Sequence, residues 1–113
     1  IKIEGQEYPI VFKMKAVGIY QDLTGEKLIG NSTELSQIFG IDDGKQVSID
    51  ANKFMALVQA VLMNADRKLS AEDAEYLAGL IDFTDSGVYA SLTKLFQRSD
   101  TEKNAEAPEK AGA

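Results

Sequence analysis

The 113-residue sequence contains no histidine, no cysteine and no tryptophan. Without cysteine there is neither a disulfide framework nor a thiolate metal site. Without histidine the commonest general base and the commonest metal ligand are missing. Basic residues are outnumbered, 12 against 18 acidic ones, for a net charge of −6. A nucleic-acid binder needs a basic footprint to displace counterions, so this balance argues against nucleic acid and leaves room for a basic partner. No apolar run is long enough to cross a bilayer, and no signal-peptide pattern opens the sequence. The default expectation is therefore a cytoplasmic protein without a membrane partner. Position 1 is Ile rather than Met, so the native start need not be here.

What is present is apolar patterning. Hydrophobic residues make up 44% of the chain, enough for one domain with a real core. The stretch Asn52–Ala65 organises it. Phe54, Leu57, Val58, Val61, Leu62 and Ala65 recur at helical steps, while Met55, Ala56, Ala60 and Met63 carry apolar surface round most of the remaining circumference. A helix apolar nearly all round belongs inside, with other elements against several sides. Asp50 is positioned to cap it.

Lys2–Glu4 and Tyr8–Phe12 read as strands of a hairpin turning at Gly5-Gln6-Glu7, with Pro9 confining the second strand to an edge. Lys13–Thr24 reads as a helix with Phe12, Ala16, Ile19, Tyr20 and Leu23 on one face and a stop at Gly25. Between Leu28 and Ile49 the pattern supports a short helix, Glu34–Phe39, capped by Ser32 or Thr33 and ended by Gly40. Asp42-Asp43-Gly44 follows as a turn, and Gln46–Ile49 as either a short strand or an extended lead-in. Ser70 and Asp73 fit a capping box before a helix Ala71–Ile81, and Ser86–Arg98 reads as a last helix. The fold class expected is thus mainly α: a small N-terminal β-hairpin, then a compact bundle of four to five helices. Residues 1–98 form one domain in this reading. Residues 99–113 hold no large apolar side chain and read as a disordered polar tail.

Few constellations invite chemistry. Asp82 to Gly87 has the glycine of an EF-hand loop, but Thr84 and Ser86 stand where two acidic ligands belong, and Thr93 where the bidentate glutamate does. It reads as an interhelical turn. Asp85-Ser86 before a helix is also the pair at a carrier-protein phosphopantetheine site, without that site's flanking residues. Glu72, Asp73 and Glu75 are explained by the dipole of a helix start, and the glycines form no phosphate cradle. No catalytic, cofactor or metal residue is assigned, and the protein reads as a non-enzyme. Met55 and Met63 read as core fillers. Met14 and Val17 lie off the main stripe of their helix and are the candidate partner-binding residues, equally open to a core reading.

The first twenty-five residues carry a resemblance. Ile3-Glu4-Gly5-Gln6-Glu7-Tyr8, then Phe12-Lys13, then a helix ending Leu23-Thr24-Gly25, resemble the N-terminal region of the tail assembly chaperones of long-tailed bacteriophages. Gln21-Asp22 stand where that family often has glutamate, and Pro9 is a further departure. The resemblance implies a helper that binds the tape-measure protein, helps recruit tail-tube protein, works in the cytoplasm of the bacterial host and is absent from the mature virion. The alternative is a structural head–tail connector or tail completion protein, and an enzyme or cofactor carrier is a third reading. The family also implies a longer product made by ribosomal slippage. Glu102-Lys103-Asn104, if encoded GAA-AAA-AAC, is compatible with the required heptamer, although such residues are ordinary in a polar tail.

Truncation after Ser99 removes no apolar anchor, so the melting temperature is expected to change little. Thermal unfolding followed by circular dichroism checks this, and a drop of many degrees would mean that the tail docks.

Overall fold

A computed structural model describes residues 1–82 and 84–96, with only the backbone described at Asp42. The expected tail, and residues 97 and 98 of the last expected helix, lie outside the described residues. The architecture is mainly α, with an N-terminal hairpin, five helices and a second small hairpin among the described residues. In order these are β1 (Lys2–Ile3), β2 (Gln6–Glu7), α1 (Met14–Thr24), α2 (Ser32–Phe39), β3 (Ile41–Asp42), β4 (Lys45–Gln46), α3 (Ala51–Ala65), α4 (Ala71–Gly79) and α5 (86–96).

Helix α3 is the hub that its pattern implied. Seven consecutive residues, Ala56–Leu62, are buried, so no face of its central two turns meets solvent. Asp50 caps it, its carboxylate accepting from the amides of Asn52 at 3.1 Å and Lys53 at 3.3 Å. Helices α1 and α4 pack extensively on α3, and α2 also packs against it. Gln59 is the one polar side chain in the buried run, and its amide donates to the Ala71 carbonyl at 3.4 Å, next to the start of α4.

The N-terminal hairpin forms in a different register from the sequence expectation. Ile3 pairs with Gln6 and Lys2 with Glu7, so the turn is Glu4-Gly5 and not Gly5-Gln6-Glu7. Both turn residues have positive φ, 52° and 80°, the requirement of the two-residue turn whose twist matches a hairpin. Tyr8–Phe12 is consequently not the second strand. Only Tyr8 continues the pairing, its amide donating to the Ile1 carbonyl at 2.7 Å. Pro9 has no amide to offer, and the chain then runs along the hub. Val11 donates its amide to the Val61 carbonyl at 3.1 Å, and the Lys13 amide donates to Asn64 Oδ1 at 2.9 Å.

A second hairpin occupies the region the sequence left open. Its turn residues Asp43 and Gly44 have φ of 54° and 77°, and Gln46 belongs to its second strand, with the lead-in to α3 following. The α2 cap is Asn31, upstream of the two hydroxyls expected, with Asn31 Oδ1 accepting from the Glu34 amide at 3.2 Å. Ser70 caps α4 by accepting from the Asp73 amide at 3.1 Å, which is half of the expected capping box. Helix α4 stops at Gly79, two residues short of the expected Ile81.

Gly25 and Gly40 both end helices with positive φ, at 77° and 70°, but their surroundings differ. A Cβ on Gly25 meets nothing within 4 Å, whereas one on Gly40 comes within 2.6 Å of Ile49 Cγ1 and 3.0 Å of the Val47 carbonyl. Gly25→Ala is expected to cost about 1 kcal/mol, the backbone term alone. Gly40→Ala adds a packing clash worth a further ~1–3 kcal/mol. Urea unfolding of the two variants measures the difference.

Candidate partner-binding cleft

Two arrangements of side chains stand out, one polar and closed, the other apolar and open. The polar one joins three helices. Tyr20 of α1 is fully buried, and its hydroxyl donates to Oε2 of Glu34 on α2. Oε1 of Glu34 accepts from the Lys53 ammonium of α3 at 2.7 Å, and the same ammonium donates to Gln37 Oε1. A carboxylate only 3% exposed is tolerable here because both its oxygens are engaged, one by a cation. Burial, with Glu34 beside it, pushes the Tyr20 phenol pKa far up. The Glu34 hydrogen bond likewise raises that of Lys53, against a smaller desolvation effect. This cluster locks α1, α2 and α3 together.

The open arrangement is a cleft of about 250 Å³ where α3, α4 and α5 meet. Phe54 and Met55, both half-buried, line it from the first turns of α3, with Ile49 just before that helix. Ala78 and Gly79 close it from the end of α4, followed by Ile81. Val88 and Tyr89 come from α5. The Tyr89 ring is fixed from two sides. Its hydroxyl donates to the Phe39 carbonyl at 2.7 Å, and its ring stacks on Phe54 with centroids 6.5 Å apart. The aromatic contacts continue from Tyr89 through Phe39 and Phe96 to Phe12, so the cleft wall is anchored in the core. Ile49 is 48% exposed, and Ile41 and Val47 of the adjoining hairpin are 50% and 44% exposed. Apolar surface therefore extends beyond the cleft mouth.

The turn tested as an EF-hand is occupied with its own backbone. Asp82 accepts from the Thr84 amide at 2.9 Å and the Thr84 hydroxyl at 2.6 Å, and these bonds hold its pKa below the usual value. Asp85 accepts from the Gly87 amide at 2.9 Å and caps α5. Among the described residues no group of three or more acidic side chains could hold a metal ion, and no helix is long and apolar enough to cross a membrane.

Met14 is 74% exposed, while Val17, one turn on, is half-buried against the core. Neither lines the cleft. Met55, read as a core filler, does pack half-buried against the core and is also one of the cleft's walls. Comparison of the chain with protein-family models, with curated proteins and with solved structures returned no match.

The buried cluster predicts alkaline lability. A phenol whose pKa is raised by folding contributes stability that is complete below its ordinary value of 10.0 and declines as pH climbs above it. The raised Lys53 ammonium acts with the same sign above 10.5. Stability is expected to fall steeply above about pH 10. Tyr20→Phe should lower stability at neutral pH by roughly 1–3 kcal/mol and flatten that alkaline decline. Urea titrations at several pH values read both effects, and an unchanged slope in the variant would contradict the assignment.

Proposed function

We propose that the protein is a tail assembly chaperone of a long-tailed bacteriophage. It holds the tape-measure protein in solution and helps to recruit tail-tube subunits in the host cytoplasm, without entering the finished particle. The observation that carries this reading is the open apolar cleft on an acidic helical domain. A groove of that kind can hold the apolar stripe of an amphipathic helix. A net charge of −6 favours solubility of the resulting complex. The N-terminal pattern adds support: the residues that carry the resemblance include Gly5, which makes the hairpin turn, and Gly25, which ends α1.

Co-expression with the tape-measure reading frame of the same genome tests the proposal. The tape-measure chain is expected to be insoluble alone and to co-elute with this protein when the two are made together. Failure to co-elute would overturn the reading, as would recovery of the protein from purified virions at fixed copy number, the result a connector predicts.

A further inference from the structure

We propose that the cleft between α3, α4 and α5 receives a basic amphipathic helix, whose apolar side chains enter the cleft while Lys or Arg residues beside them meet carboxylates on α4 and at Asp85. This deepens the chaperone reading and rests on it for the partner's helical form; the charge of the partner and the docking surface come from the residues themselves. A volume of about 250 Å³ is below the usual range of about 300–1,000 Å³ for small-molecule pockets and suits a few anchoring side chains. Along α4 and the turn into α5 the charge is of one sign, although Lys2 shares a neighbouring depression with Asp85. Between Lys68 and Lys94 the sequence holds Glu72, Asp73, Glu75, Asp82 and Asp85 and no cation.

Helix α4 carries part of that charge on a stripe that ends at the cleft. At about 100° per residue, Glu72, Glu75, Tyr76 and Gly79 share one stripe, and Gly79 is the member that lines the cleft. The stripe is solvent-facing: Tyr76 is 68% exposed, and both glutamates are exposed. A Cβ on Gly79 meets nothing within 4 Å, so the bare backbone there leaves room for a helix to cross closely. At the other side of the cleft stands Asp85, the only carboxylate among the described residues that line it.

Charge also disfavours the other occupants. A second copy docking through this face by two-fold symmetry sets the acidic stripe against itself, a like-charge contact. The segment 97–113 holds no large apolar residue with which to fill the cleft.

The test uses the full chain and two synthetic amphipathic peptides of about 18 residues, or five helical turns. Both carry leucine at the same positions, one with lysine on its polar face and the other with glutamate. Calorimetry is expected to show the lysine peptide binding at least tenfold tighter than the glutamate peptide, and weakening as salt is raised. Glu72→Gln with Glu75→Gln should remove most of that preference. Gly79→Leu, which puts a side chain in the mouth of the cleft, should abolish binding while the melting temperature holds or rises, because leucine is the better helix former. Met14→Ser should leave binding intact. Equal affinity for both peptides, binding that survives Gly79→Leu, or loss on Met14→Ser overturns the proposal. Co-elution separates it from the broader reading. If Gly79→Leu still solubilises the tape-measure chain, the cleft assignment fails and the chaperone reading stands. If the wild-type protein does not capture that chain, yet Gly79→Leu abolishes lysine-peptide binding, the reverse holds.

Discussion

The rest of the structure depends on the burial of α3 on every side. Seven successive residues of one helix cannot all be hidden by a single neighbour, so the chain has to wrap it. Helices α1, α2 and α4 each take part of the circumference, and the extended segment after the first hairpin takes another. That segment is bound to the hub by backbone and by the Asn64 side chain, because Pro9 has ended its pairing with β1. Leu28, in the connection between α1 and α2, is buried as well, so even a loop contributes to the wrapping.

Polar groups fix how the wrapping elements sit. Hydrophobic burial is non-directional, and helices held by it alone can slide or rotate. The cluster of Tyr20, Glu34, Gln37 and Lys53 has one geometry in which both oxygens of a buried carboxylate are satisfied, and that geometry sets α1 and α2 against α3. Gln59 does the same for the start of α4. The cleft is what this arrangement leaves uncovered. The first turns of α3 emerge from the wrapping, α4 ends at Gly79, and α5 leans in through Val88 and Tyr89 without closing the gap.

How much of this could be read from the residues depended on the range of the interaction that decides each feature. The hub was legible because its apolar period is continuous and Asp50 stands at its start. Gly25 and Gly40 marked helix ends, since glycine tolerates the left-handed conformation that such ends adopt. The register of the first hairpin was not legible, because it turns on Glu4 adopting φ 52°, which glutamate rarely does. The second hairpin carried its signal in Asp43-Gly44, a pair typical of two-residue turns, but the flanking residues lack the alternation that marks strands. The pairing of Glu34 with Lys53 spans nineteen positions and leaves no local trace. A buried tyrosine on an apolar stripe was the one hint that a polar partner waited opposite. The cleft was hidden for the same reason: it exists because three helices meet at a particular angle and one of them stops early.

Native-state hydrogen exchange measures the central claim most directly. If α3 is the element that everything else encloses, the amides of Ala56–Leu62 exchange only when the whole domain unfolds, and are the slowest in the chain. Their exchange free energies should equal the global stability from urea unfolding, while amides near the cleft at the end of α4 open more readily. Faster exchange at Ala56–Leu62 than in α1 or α2 would contradict the account, because the hub would then be opening inside a shell that remains folded.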